Sequence, residues 1–309
     1  MNNKILTVFI YCFILFGCHS QSDQTKLKER SKTYNKVETS AFELYKPIGT
    51  IKAVLILYGG FPEEINDIRK EFKIAPLAQE ADIAIIYAKL NQRLWLEDKE
   101  KQEQAGMLQD LFISHELPID NIFIGGFSSG GNMAFQISNT IVAMKQFYID
   151  PKGVFLIDSP IDLVALYESS KKNIEHDFSE VSVQESKWII ETLESAFGNP
   201  EKSIEDYEKY AVFTKRTNST RNLNKLKDTK IRLYTEPDTT WWLENRQASY
   251  EQLNAYSIKN LALSLEQKEY KNVEYIPSHQ KGFRANGERH PHSWSIVDKQ
   301  DLIQWMLSE

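Results

Sequence analysis

The chain has 309 residues, of which 26% are charged and 41% hydrophobic, values typical of a soluble globular protein. This length suits one large domain, or one domain that carries an insertion. The formal net charge is -6 and the sequence has no basic run, which argues against nucleic acid as a partner.

The N-terminus has the pattern of an export signal. Lys4 gives a short basic start, and residues 5–16 form an apolar run too short for an ordinary transmembrane helix. Leu15-Phe16-Gly17-Cys18 resembles the lipobox of bacterial lipoproteins, in which the cysteine is acylated and becomes the new N-terminus. We therefore expect residues 1–17 to be removed and Cys18 to anchor the protein in a membrane of the cell envelope, on its periplasmic or outer face. Cleavage nearby as a plain signal peptide is the alternative.

Residues 18–36 are polar and rich in lysine, which is typical of a flexible tether. Cys12 and Cys18 are the only cysteines, so no disulfide is expected to stabilise the mature protein. The folded domain is expected over residues 37–309.

Apolar runs alternate with helical patterns through this domain. Strands are predicted at 53–58, 83–87, 121–125, 153–157, 231–234 and 273–276, and helices at 99–115, 129–142, 246–268 and 299–306. Continuous apolar strands separated by helices indicate an α/β fold, with a mostly parallel sheet flanked by helices.

One segment, about 160–228, has no convincing strand pattern. Residues 187–197 are amphipathic, and residues 203–212 form a second candidate helix. This composition predicts a helical cap inserted over one edge of the sheet.

The sequence Gly-Phe-Ser-Ser-Gly at 126–130 is the only G-x-S-x-G match, and it lies between a predicted strand and a predicted helix. On such a turn the central serine, Ser128, projects its hydroxyl above the sheet, while the glycines leave room where helix and strand cross. The helix N-terminus favours an oxyanion at this point. A dinucleotide-binding loop would need glycine where Phe127 stands.

In this context the motif resembles that of the α/β-hydrolase family, over about residues 50–309. The resemblance implies a catalytic triad in the chain order serine, acid, histidine. It places the acid after the penultimate strand, where both Glu236 and Asp238 lie. Asp238 is preferred because a few loop residues allow its side chain to turn back toward the histidine, and Glu236 remains the competitor.

The same resemblance places the histidine in the loop before the last helix. His279, His290 and His292 all follow the last strand, and His292 fits this position best. His290 is a candidate for contact with substrate or for fixing the loop. No spacing among the three matches an established ligand motif, so neither a metal nor another cofactor is expected.

The turn Tyr58-Gly59-Gly60-Phe61 follows an early strand, where the family has a histidine before its glycines. Because the useful groups are backbone N–H donors, tyrosine is tolerable in that place. The N–H of Ser129 and the N–H of Gly60 or Phe61 are expected to form an oxyanion hole.

These residues imply a serine hydrolase that cleaves an ester or another acyl bond, including a peptide bond, through an acyl-enzyme. The expected partner is a small-molecule or peptide acyl substrate. Asp158, Trp241, Trp242 and His290 are candidates for substrate contact. Arg284 and Arg289 are candidates for binding a carboxylate, or for a merely solvated loop. The alternative is a ligand-binding lipoprotein without catalysis on the same scaffold.

Overall fold

The computed structural model describes residues 34–90 and 93–308. The expected signal peptide, the acylation site at Cys18 and most of the expected tether lie outside the described residues. Strand β1 (Tyr34–Glu38) opens the described part, so the sheet begins before the domain start expected at Val37.

An eight-stranded sheet forms the centre of the domain, in the order β1-β2-β4-β3-β5-β6-β7-β8. The remaining strands are β2 (Phe42–Pro47), β3 (Ala53–Tyr58), β4 (Ile83–Ala88), β5 (Ile122–Phe127), β6 (Pro151–Ile157), β7 (Lys230–Thr235) and β8 (Val273–Pro277). Strands β3 to β8 run parallel, while β1 and β2 pair antiparallel at one edge. The predicted fold class, a mostly parallel sheet flanked by helices, is confirmed.

Helices cover both faces of this sheet. They are α1 (Ile65–Glu71), α2 (Ala75–Glu80), α3 (Asp98–Ser114), α4 (Ser129–Ala143), α5 (Leu163–His176), α6 (Glu180–Phe197), α7 (Ile204–Tyr210), α8 (Thr239–Arg246), α9 (Asn254–Gln267) and α10 (Lys299–Leu307). Apolar side chains of α3, α4 and α9 pack on one face, and those of α1, α2 and α10 pack on the other. Strands buried on both faces lose all contact with water, which explains their continuous apolar runs.

The long helix predicted at 246–268 is wrong in its extent, because α9 covers only the later part of that range. Helix α8 ends at Arg246, and Gln247 follows in the left-handed conformation with φ 53°. Helix α9 begins only at Asn254. A non-glycine residue at positive φ cannot continue a right-handed helix, so the direction of the chain changes at Gln247.

Residues 160–228, called the cap below, fold as helices α5, α6 and α7 with two short 3₁₀ turns. These helices form an apolar cluster of their own, in which Leu163, Leu193 and Tyr207 are fully buried. Helix α5 was not predicted from the sequence.

Candidate active site

Ser128 lies on the turn between β5 and α4, in a strained backbone conformation of φ 52° and ψ -131°. The neighbouring glycines make this turn possible. A Cβ atom on Gly126 would lie 2.3 Å from the carbonyl carbon of Gly130, and one on Gly130 would lie 2.3 Å from the carbonyl oxygen of Tyr58. The glycines therefore do what the motif predicts, which is to let the helix start directly against the strands.

His292 lies in the long loop between β8 and α10, and its ring packs on Phe127 at 4.5 Å between centroids. Its Nδ1 donates to Oδ2 of Asp158 over 2.6 Å. Asp158 follows β6 directly and is 4% exposed. The hydroxyl of Thr235 donates to the other carboxylate oxygen over 2.6 Å, which fixes the orientation of the acid.

The prediction that Asp238 orients His292 does not agree with this geometry. Asp238 caps the N-terminus of α8, where it accepts the N–H of Trp241 over 3.0 Å. Its other oxygen accepts from Arg289 over 2.6 Å. The partner of His292 is instead Asp158, which from the sequence is a candidate for substrate contact. Asp158 still follows Ser128 and precedes His292 along the chain, so the order serine, acid, histidine is kept.

Glu236, the competing acid, is 2% exposed and belongs to a separate network. Its carboxylate accepts from the hydroxyl of Ser278 over 2.8 Å, from the N–H of Lys281 over 2.9 Å and from the N–H of Gly282 over 3.0 Å. Arg289 donates to it as well. Glu236 therefore fixes the loop that carries His292 without touching the imidazole.

The two candidate oxyanion donors after β3 differ in their partners. The N–H of Gly60 donates to Glu63 over 2.9 Å, so it is already occupied. The N–H of Phe61 donates over 3.0 Å to the hydroxyl of Ser129, the residue next to Ser128. A neutral hydroxyl is a weaker acceptor than a carboxylate, so the N–H of Phe61 is more easily released to an oxyanion than that of Gly60. The N–H of Ser129 is at the first residue of α4, where helical N–H groups have no partner within the helix.

Ser128, Asp158 and His292 all line one cavity of about 710 Å³. Its floor is formed by residues at the carboxyl ends of the strands, and α5 and α6 of the cap line the opposite side. The ring of Phe61 stacks on Trp188 of α6, with 4.7 Å between centroids. The cap and the turn after β3 therefore meet at the edge of this cavity.

His290 also lines the cavity, enclosed by Trp241 and Trp242 at 4.8 and 5.7 Å between ring centroids. Burial lowers the pKa of His290 to about 3, and the neighbouring ring of His292 and the charges of Arg284 and Arg246 act in the same direction. The imidazole is therefore neutral at neutral pH. Trp242 lines the cavity directly and Trp241 does not, and the part of either in substrate contact stays a prediction.

Glu63 also lines the cavity, and its surroundings change its pKa. Burial raises its pKa, while the N–H of Gly60 and the indole N–H of Trp294 act in the opposite direction. The Trp294 nitrogen lies 3.0 Å from the carboxylate. Glu63 thus ties the turn after β3 to the segment that follows His292.

His279 is exposed and does not line the cavity. Within residues 34–90 and 93–308, no group of three histidine, cysteine or acidic side chains is arranged to hold a metal ion. No helix in this same part of the chain has the length and apolar character needed to span a membrane.

No protein-family model matches the sequence, and comparison with curated proteins gives no significant match. Solved structures do match. Carboxyl esterase 2 from the fungus Tuber melanosporum aligns with a TM-score of 0.55 and 14% identity, over 91% of this chain and 88% of that one. Fluorophosphonate-binding serine hydrolase F from Staphylococcus aureus gives 0.53 and 12%, over 90% and 99%. An esterase of the bacterial hormone-sensitive lipase family gives 0.52 and 12%, over 91% and 86%. At these identities the likeness establishes the fold, and the chain has the α/β-hydrolase fold.

Proposed function

We propose that the protein is a serine hydrolase that cleaves carboxylic esters with Ser128 as nucleophile, His292 as general base and Asp158 as the acid that orients it. The observation that carries this proposal is the strained Ser128 turn, which opens into the same cavity as the hydrogen-bonded His292–Asp158 pair. A serine becomes a nucleophile only when a base can accept its proton, and an imidazole held by a carboxylate is such a base.

The reaction follows from the two ring nitrogens of His292. Because Nδ1 is bonded to Asp158, Nε2 is the nitrogen that takes the proton as Ser128 Oγ attacks the ester carbonyl carbon. The N–H groups of Ser129 and Phe61 hold the resulting oxyanion. Collapse of this intermediate breaks the bond to the alcohol, which leaves with the proton from His292. Water then gives a proton to His292 and attacks the acyl carbon. Collapse of the second intermediate breaks the bond to Ser128 Oγ, which takes the proton back from His292 as the acid leaves.

An ester substrate is favoured over a peptide by the structural neighbours, two of which are described as esterases. The expectation of a ligand-binding protein without catalysis is less well supported. Strain at Ser128 is costly, about 1–3 kcal/mol for such a backbone conformation, and a binding role gives no reason to retain it.

Hydrolysis of 4-nitrophenyl acetate tests the proposal. Ser128→Ala should lower kcat by about 10⁴-fold or more, since the nucleophile is lost. Ser182→Ala, which removes another serine of the cavity wall, should retain activity. Turnover by Ser128→Ala at the rate of the parent protein would exclude the mechanism. Faster cleavage of a matched peptide anilide than of the ester would exclude the ester assignment.

We also propose that the chain is exported and anchored in the cell envelope through an acylated Cys18, with a signal peptide removed before it. Metabolic labelling with palmitate should label the parent protein and the Cys12→Ser variant, but not Cys18→Ser. Cys12→Ser is a matched control because its cysteine lies within the expected signal peptide. Equal labelling of all three proteins would contradict the anchor.

A further inference from the structure

The carboxylates of the cavity wall are already accounted for. Asp158 is bound by His292 and Thr235, and Glu236 belongs to the network around Arg289. Glu63 accepts from two N–H donors. The fourth acid of the wall, Glu185, is exposed on α6. No acid of the wall is therefore left buried without a donor.

Two arginines of the same wall lack such partners. Arg246 ends α8, Arg284 lies in the loop before His292, and both side chains are half-buried. Within the described part of the chain, neither guanidinium has a carboxylate within 4.0 Å. Arg246 lies against the rings of Phe178 and Trp241, at 5.8 and 6.0 Å from their centroids. Aromatic rings hold a guanidinium in place but leave its N–H groups available.

The two arginines line the same cavity as His290, and Arg246 lies against Trp241, whose ring is 4.8 Å from that of His290. Both of their charges contribute to the low pKa of this imidazole, so both act on the same ring. The ring of His290 is 6.4 Å from that of His292. Its Nδ1 is buried and has no hydrogen-bond partner among the described residues. Two guanidinium groups without an ion-pair partner and an unused polar atom thus line the same cavity as the proposed general base.

We propose that the substrate is an ester that also carries an ionised carboxylate, and that Arg246 and Arg284 bind this carboxylate. The inference rests on the proposed ester hydrolysis and extends it to a substrate class. An arginine can bind a carboxylate through two parallel N–H donors, and the low dielectric of a half-buried site strengthens the contact. A neutral ester would leave both guanidinium groups without a carboxylate within 4.0 Å among the described residues.

Two pairs of esters test this inference and locate the carboxylate. The first pair is the 4-nitrophenyl half-ester of glutaric acid and 4-nitrophenyl pentanoate, which differ by a carboxylate on the acyl side. The second pair is 4-acetoxybenzoate and phenyl acetate, which differ by a carboxylate on the alcohol side. In at least one pair, kcat/KM should be higher for the anionic ester.

The variants are Arg246→Gln and Arg284→Gln, with Arg221→Gln as the control. Arg221 is exposed and lies outside the cavity, so its replacement changes the net charge equally. Each cavity variant should lower the ratio of kcat/KM for the anionic ester to that for its neutral counterpart by about 10- to 100-fold, the usual value of a hydrogen bond to a charged group. Arg221→Gln should leave the ratio as it is in the parent protein.

Failure of the inference can be told apart from failure of the proposed function. Turnover of the neutral esters with equal ratios in all four proteins would overturn the carboxylate site and leave the hydrolase standing. If no ester is turned over, binding of free glutarate, measured by calorimetry, decides the inference alone. Binding by the parent protein that is weakened in Arg284→Gln and not in Arg221→Gln would support it, and absence of binding by the parent would overturn it.

Discussion

His290 shows how strongly the surroundings in this cavity can change the pKa of a side chain. His290 has tryptophan rings on two sides and positive charges nearby, and both burial and charge disfavour its protonated form. The neutral imidazole can still exchange hydrogen bonds with a substrate. It cannot add to the positive charge of the arginines.

The low pKa of His290 makes stability depend on pH in a defined direction. In the unfolded chain its pKa returns to about 6.5. As the pH falls from there toward about 3, the unfolded chain binds a proton that the folded protein does not. The free energy of unfolding should therefore fall with pH in this interval.

Urea denaturation at several pH values, compared between the parent protein and His290→Gln, measures this effect. The parent should lose more stability than the variant as the pH falls below 6.5. Identical pH profiles would show that the folded environment leaves the protonation of His290 unchanged.

Residues that act through local sequence were predictable, and those that act through packing were not. Ser128 was found because its flanking glycines and its position between strand and helix are visible in the sequence. The acid was not, because β6 and β7 both end at the same edge of the sheet and both are followed by acids. Asp238 is bound by Arg289, which lies far along the chain. The sequence near each acid therefore does not show that Asp158, and not Asp238, contacts His292.

At the level of elements, the contact between β5 and α4 sets the position of the nucleophile. Gly126 lies at the end of the strand, against the backbone of the first helical turn. Any side chain there would push the helix away from the sheet and displace Ser128.

Gly126→Ala should therefore abolish most ester hydrolysis and destabilise the fold, because its Cβ would lie 2.3 Å from backbone atoms of Gly130. Gly106→Ala is the matched control, since a Cβ in the interior of α3 meets nothing within 4 Å. The control should keep its activity and gain roughly 0.5–1 kcal/mol of stability, the difference in helix propensity between alanine and glycine. Kinetics measures the ester hydrolysis and urea denaturation the stability of both variants. Activity and stability of Gly126→Ala equal to those of the parent protein would show that a Cβ at this position is tolerated.

Most of the strands that were predicted share one property, which is burial on both faces. Strands β3 to β6 have continuous apolar runs because helices cover them on both sides, while β7 is equally buried but contains Arg232. Strand β1 escaped prediction because it is an edge strand with mostly exposed side chains, so its sequence resembles a tether. Helix α8 ends where Gln247 adopts a positive φ, and glutamine is not a residue type from which such a conformation can be predicted.

At the scale of the whole molecule, α4 connects the sheet to the cap through buried amides. Asn132 donates to the carbonyl oxygen of Pro160 over 2.9 Å. Gln136 donates to the carbonyl oxygen of Tyr210 over 2.7 Å and accepts the N–H of Leu96 over 3.3 Å. The helix that positions the nucleophile thus also binds the chain just before α5 and the last residue of α7, the first and last helices of the cap.

Gln136→Leu should destabilise the protein by about 2–4 kcal/mol, because it leaves a buried carbonyl and a buried N–H without partners. Gln184→Leu, on the exposed side of α6, makes the same chemical change where water can replace the amide. Urea denaturation of both variants gives the comparison. Equal stability of the two would mean that the amide of Gln136 does not hold the cap.

The proposed mechanism depends above all on Asp158 as the partner of His292, and the rate of fluorophosphonate labelling tests this directly. Intact mass spectrometry should show one adduct on the parent protein and none on Ser128→Ala. Asp158→Asn should slow labelling by about 10³- to 10⁴-fold, since the imidazole loses the carboxylate that orients it and stabilises its charged form. Asp238→Asn should react like the parent, because asparagine also caps helices and Glu236 still holds Arg289. Slow labelling of Asp238→Asn together with normal labelling of Asp158→Asn would contradict the assignment of Asp158 as the acid that orients His292.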